Sequence, residues 1–143
     1  MNAVKNVILT YIPVTKPNEN IFWKQFARWC AYFGYRIFYI GNNELNAPNV
    51  NNIYLPRILE EIYEILPRYN DQFCNISTLK LIECYNREFM FQKTFSQKGY
   101  RALIRLANYY EELLDNLQPE FIITWTQLTP ASYIIREIAK MKN

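Results

Sequence analysis

The chain has 143 residues; half are hydrophobic, 17% are aromatic, only 20% are charged, and the net charge is +3. Such a chain supports one domain with a real core, and it is neither disordered nor as basic as a nucleic-acid tail. It contains no histidine, which excludes Ser-His-Asp and Cys-His catalysis, and histidine-ligated zinc, within this chain.

The glycines are Gly34, Gly41 and Gly99, too far apart for a dinucleotide fingerprint, a P-loop or a nucleophile elbow. Cys30, Cys74 and Cys84 form no C-x-x-C pair. They read as reduced, buried thiols, with a Cys74–Cys84 disulfide as the sharper alternative. No motif requires a cofactor or a metal. No stretch approaches the ~20 apolar residues of a membrane span, and Val7 to Ile12 is too short for a signal-peptide core. The expectation is a soluble, cytoplasmic protein, and work at the inner face of a membrane is compatible with it.

In chain order, Val4 to Ile12 is nearly all apolar and predicts a strand buried on both faces. Pro13 to Asn18 is built from turn residues. Phe22, Phe26, Trp29, Cys30 and Phe33 share one helical face and predict a core-facing helix over 19–33. Asn18 or Asn20 would cap that helix and Gly34 would stop it. Tyr35 to Ile40 is a second strand, and the asparagine-rich stretch from Glu44 to Asn52 reads as loop. Asn52 to Leu55 is a short third strand. Pro56 opens a helix with an Ile58, Leu59, Ile62, Ile65, Leu66 stripe. Ile76 to about Phe91 is another helix, with Leu79, Ile82 and Phe89 apolar. Gly99 to Leu117 repeats Leu103, Ala107, Tyr110, Leu114 and Leu117 at helical spacing. Glu120 to Trp125 is a buried-type strand, and Thr129-Pro130 starts a last helix with Ala131, Ile134, Ile135 and Ile138 inward.

Strands alternating with helices predict an α/β fold. It is a Rossmann-like, mostly parallel sheet of three to four strands, with helices on both faces and a helical insertion at about 56–95. The whole chain, 1–143, reads as a single domain. A sheet this small, ending on a helix, looks unfinished, and the natural protein or its working complex is expected to supply more at the carboxyl-terminal side.

Ligands of open α/β sheets bind beyond the carboxyl ends of the strands. The loops there offer Thr15, Lys16 and Asn18; Asn42; and Trp125, Thr126, Gln127, Thr129 and Ser132. An indole beside hydroxyls and side-chain amides suits a sugar, which has an apolar face and a rim of hydroxyls. The plainer reading makes Thr129 a helix cap and Trp125 a core residue. Arg101 and Arg105, four apart, offer contacts to an anion or a solvated face. Glu83, Arg87 and Glu88 offer an intrahelical ion pair, a carboxylate base, or an arginine (Arg87) for an acidic substrate. Nucleic acid is not expected as a partner, because the Lys/Arg clusters are sparse.

The stretch Tyr110-Glu-Glu-Leu-Leu-Asp-Asn-Leu-Gln-Pro-Glu-Phe-Ile-Ile-Thr-Trp, followed by Ser132-Tyr-Ile-Ile-Arg-Glu-Ile-Ala, resembles the amino-terminal half of bacterial capsule and surface-polysaccharide glycosyltransferases. There a long helix ends in a Leu-x-Pro-(Asp/Glu) turn, a strand follows, then a polar loop and a helix. The resemblance covers residues 110–140 as sequence and most of the chain as architecture. It implies a GT-B half that forms the acceptor side of a cleft. A saccharide acceptor would bind here, and a nucleotide-sugar would be held by a carboxyl-terminal half. The chain alone is then inactive, and no catalytic residue carries over. The alternatives are a small α/β interaction module without chemistry, for which a homodimer is one form, and a flavodoxin-like nucleotide binder.

Overall fold

A computed structural model describes residues 3–14, 16–86, 96–125 and 129–142. Its strands are β1 (Lys5–Thr10), β2 (Tyr35–Gly41), β3 (Val50–Tyr54) and β4 (Phe121–Thr124). Its helices are α1 (Pro17–Tyr32), α2 (Leu59–Ile65), α3 (Thr78–Asn86), α4 (Gln97–Leu117) and α5 (Pro130–Lys142). The fold is α/β and Rossmann-like, with one four-stranded sheet, parallel throughout, in the order β3-β2-β1-β4. The backbone divides into two compact units, Met1–Leu55 with Leu117–Trp125, and Pro56–Asn116 with Thr126–Asn143.

The first unit holds the sheet and α1. Val7 pairs with Ile37 on one side and Phe121 on the other, and Leu9 pairs with Tyr39 and Ile123. β1 is therefore central, which is why its last four residues are all buried. Leu9, Ile37 and Tyr39 point to one face and pack with Trp23, Ala27 and Cys30 of α1. Gly34 follows the helix at φ +83, the left-handed conformation that glycine reaches without a Cβ penalty.

Several expectations about α1 are corrected. Its core face is Trp23, Ala27 and Cys30, whereas Phe22, Trp29 and Phe33 are exposed. Both stripes have helical spacing. The sheet selects the one containing Ala27, because a small residue lets the helix approach the strands. Neither Asn18 nor Asn20 caps the helix. Extended Lys16 takes that position and Pro17 opens the first turn, where its missing N–H costs nothing. The third strand begins at Val50, two residues earlier than Asn52.

The second unit, among the described residues, is helical. α2 starts at Leu59 with Ile58 as its extended cap, so Pro56 lies ahead of the helix instead of opening it. α3 also turns differently from expectation. Leu81 and Cys84 are buried, while Leu79 and Ile82 are exposed; Phe89 lies outside the described residues. α4 and α5 match the periodicity closely, with Leu103, Ala107, Tyr110 and Leu114 buried on one and Ala131, Ile134, Ile135 and Ile138 on the other. Tyr110 joins these helices by donating to the Ala131 carbonyl at 2.8 Å. The Cys84 thiol reaches the Pro130 carbonyl at 3.5 Å; Cys30 and Cys84 are buried, Cys74 only half-buried, and no disulfide joins them, Cys74–Cys84 included.

Tyr109, beside Tyr110 on α4, packs edge-on against Tyr69 at 5.4 Å. Burial, with Tyr69 and Glu112 adding to it, pushes its hydroxyl from 10.0 up to about 12. In the unfolded chain the same phenol loses its proton near pH ~10. The folded state therefore holds the proton more tightly, and stability present below pH ~10 is lost as pH rises toward about 12. Urea denaturation at about pH 8 and about pH 11 should show a larger loss for the natural chain than for Tyr109→Phe. Equal losses would remove Tyr109 from the alkaline response.

Candidate functional site

A parallel sheet sends all its strand ends to one side, and the order β3-β2-β1-β4 reverses direction between β1 and β4. From β1 the chain moves outward through β2 and β3, then returns to the other side of β1. At such a switch point the loops leaving the two strands diverge and leave a crevice. Here those loops leave from Thr10 and Thr124, which are register partners.

The β1 side of the crevice is built tightly. Tyr11 has φ +47, a strained backbone for a bulky side chain. Hydrogen bonds from its backbone and its side chain hold it there. Its N–H donates to the Ile40 carbonyl at 2.8 Å, and its hydroxyl donates to the Leu55 carbonyl at 3.1 Å. Thr10 is fully buried, and its hydroxyl has no hydrogen-bond partner among the described residues. Gly41 closes β2 so near Tyr39 that a Cβ would stand 2.6 Å from the phenolic oxygen. That oxygen meets Asn43 Oδ1 and lies 3.5 Å from the Ile12 carbonyl. The turn after β2 is thus tied to the segment after β1. Asn42 sits in this turn with its side chain exposed, and Asn18 is exposed in the first turn of α1.

Trp125 supplies the β4 side. It is 58% exposed, so it is not the core residue of the plainer reading. It is braced, however: its ring meets buried Trp23 edge-on with centroids 5.7 Å apart. Phe22 and Phe26 pack edge-on against Trp23 in turn, at 5.0 and 5.5 Å. An indole fixed this way offers a rigid apolar surface at little entropic cost.

The remaining predicted residues fall elsewhere. Thr15, Thr126, Gln127, Arg87 and Glu88 lie outside the described residues. Thr129 and Ser132 belong to the second unit, where both are buried. Thr129 Oγ1 donates to Ser132 Oγ at 3.0 Å and accepts the Ser132 N–H at 3.4 Å, closing the first turn of α5. Their polar capacity is directed to the helix start.

The two arginines of α4 do not form a matched pair. Arg101 is exposed. Arg105 is largely buried: it donates to the Tyr63 carbonyl at 2.7 Å, lies 3.7 Å over the Tyr63 ring and pairs with Asp71 at 3.7 Å. Glu83 accepts from Lys80 at 3.4 Å and from the Tyr133 hydroxyl at 3.3 Å. Lys80 also faces Glu137, and the two carboxylates hold its ammonium above the usual lysine range. These groups form a salt-linked network between α3 and α5.

Sequence reasoning missed Tyr11 and Trp23. Tyr11 reads as one more apolar strand residue, because its unusual φ leaves no mark in a single sequence. Trp23 lies off the aromatic stripe that the periodicity selects, although the packing of a second indole against Trp125 is what fixes the exposed ring.

Among the described residues, a braced indole thus follows β4, and exposed side-chain amides follow β2 and open α1; these are group types that bind polyhydroxylated surfaces. Comparison with known proteins finds no matching family model, no similar curated protein and no similar solved structure.

Proposed function

We propose that this chain is the acceptor-side domain of a glycosyltransferase of capsule or surface-polysaccharide assembly. It holds a saccharide acceptor at the carboxyl ends of β1 and β4. The observation that carries this reading is Trp125, exposed by more than half yet fixed edge-on by Trp23 at a topological switch point. A sugar ring lays its C–H face on such an indole, and its hydroxyls meet amides such as Asn18 and Asn42. In the transfer, an acceptor hydroxyl gives its proton to a base or to the leaving phosphate and forms the new bond to the anomeric carbon, as the bond from that carbon to the donor's nucleoside diphosphate breaks. Transfer would need that donor to be supplied by another domain. The role assigned to this chain is to position the acceptor, which lowers the barrier by converting an encounter into a held geometry.

Titration with acidic and neutral oligosaccharides, followed by amide shifts, tests the assignment. Shifts should cluster around residues 10–18, 41–43 and 125. Trp125→Ala should weaken binding by about tenfold or more, equivalent to ~1.4 kcal/mol or more, with an unchanged circular-dichroism spectrum. Unchanged affinity in that variant, or shifts produced by nucleotides alone, would overturn the acceptor reading.

A further inference from the structure

One flank of α1 carries an aromatic seam of which Phe26 alone packs against the core cluster. Phe22, Phe26, Trp29 and Phe33 follow one another at steps of four, three and four, on a line displaced by roughly a quarter turn from the core-facing residues. Toward the helix end the seam lies open. Trp29 is 60% exposed, Tyr32 83% and Phe33 69%, and together they line a shallow apolar hollow of about 540 Å³.

Beside this ridge lies a shelf. Phe121, Ile123 and Trp125 all turn toward the α1 side of the sheet. Phe121 meets Tyr35 there at 6.1 Å, Ile123 packs on the core shared with α1, and Trp125 meets Trp23. Yet α1 is seated over β1 and β2, where Leu9, Ile37 and Tyr39 form the core. Phe121, on the edge strand, stays 52% exposed. The other edge of the sheet is guarded differently: β3 presents exposed Asn51 and Asn52. Edge strands are normally blunted by polar residues or covered by another element. β4, reading Phe-Ile-Ile-Thr, has no such residues of its own and calls for a cover.

We infer that the cover is a second copy of this chain, with α1 of each copy lying on the β4 shelf of the other. A ridge next to a shelf is self-complementary. Rotation by half a turn about an axis parallel to the strands exchanges the two, as an isologous dimer requires. That rotation keeps height along the strands, so Trp29 and Phe33 of one copy bracket Phe121 of the other. The area is of the right order. Each large aromatic can bury ~150–250 Å², so Phe22, Trp29, Tyr32, Phe33 and Phe121, each more than half exposed, offer roughly 500–800 Å² per copy. A standard interface needs about 800 Å² per partner. A bilayer, being flat on this scale, would meet the ridge and leave the shelf uncovered. The shelf ends at Trp125, the indole that carries the sugar reading, so the dimer is tested at its other end, at Phe33 and Phe121, which that reading does not use.

Sedimentation velocity from low to high micromolar concentration tests it. The natural chain should pass from monomer to dimer. Phe33→Glu and Phe121→Lys should each weaken dimerisation by about tenfold or more, with unchanged circular dichroism. An equimolar mixture of the two variants should dimerise again. In the mixed dimer one contact is Phe33 on Phe121, and the other sets the new carboxylate against the new ammonium. A natural chain that stays monomeric at the highest concentration would overturn the inference, whether or not it then co-sediments with phosphatidylcholine–phosphatidylglycerol vesicles. So would a dimer indifferent to both substitutions, or two monomeric variants with no rescue on mixing. Should either variant fail to fold, the natural chain's own sedimentation decides between dimer and monomer. Disulfide formation between Phe33→Cys and Phe121→Cys chains, each in a Cys74→Ser background, then decides the arrangement.

Discussion

Tyr110→Ala should cost about 3–5 kcal/mol, the usual range for removing a large buried aromatic ring. Tyr110 is fully buried in the middle of α4, and its hydroxyl donates to the Ala131 carbonyl at 2.8 Å. That carbonyl belongs to the first turn of α5. Removing the ring leaves a cavity under Tyr109 and takes away the bond that ties the start of α5 to α4. A domain of this kind has only ~5–15 kcal/mol of net stability, so the loss takes a large share of it. Tyr110→Phe separates the two contributions. It keeps the ring and gives up only the hydroxyl's bonding, at a cost of about 1 kcal/mol. The urea midpoint should fall far for the alanine variant and slightly for the phenylalanine variant, with similar slopes. Equal midpoints for the two would mean that the ring is not the main contribution.

The second large effect is expected at Tyr39. This residue is fully buried in β2, where its ring fills the core between the sheet and α1. Its hydroxyl sits over Gly41 and meets both Asn43 and the Ile12 carbonyl. Tyr39→Ala should therefore cost about 3–5 kcal/mol through the cavity. It should also release the turn at residues 41–43 from the segment after β1. Tyr39→Phe should cost about 1 kcal/mol and leave the core intact. Amide exchange separates the roles. The phenylalanine variant should show faster exchange confined to residues 41–45, and the alanine variant faster exchange throughout β1, β2 and α1. Retention of natural exchange rates around Gly41 in both variants would show that the hydroxyl does not hold this turn.

Much of the fold was legible because the central strands leave a strong signature. Val7 to Thr10 are buried on both faces, Ile37, Tyr39 and Ile40 are buried with Phe38 half-buried between them, and nearly continuous apolar runs of that length have few other uses. α4 and α5 were legible for a related reason, since each has one apolar stripe and polar residues elsewhere. α1 was not, because it carries two apolar stripes and only packing distinguishes them. The sheet takes Trp23 and Ala27 with Cys30, the one buried member of the predicted stripe, whereas hydrophobicity favours Phe22 and Phe33. α3 was misread in the same way, with Leu79 and Ile82 outside and Leu81 and Cys84 inside. Of the candidate site, the positions of Trp125, Asn18 and Asn42 followed from strand ends. The brace from Trp23 and the strained Tyr11 did not, because both depend on residues far apart in sequence coming together.

The loop between β2 and β3 is closed by a side chain acting as a piece of backbone. Asn52 Oδ1 accepts the Leu45 N–H at 2.9 Å, and Asn52 Nδ2 donates to the Leu45 carbonyl at 3.2 Å. A primary amide carries donor and acceptor on one carbon, so it imitates a peptide group and adds one rung to the ladder. No carboxylate can do so. Hydrolysis of this amide, the slow chemical ageing to which asparagine is prone, would set an anionic oxygen against the Leu45 carbonyl. The change would be covalent, so refolding would not restore the lost donor at Asn52.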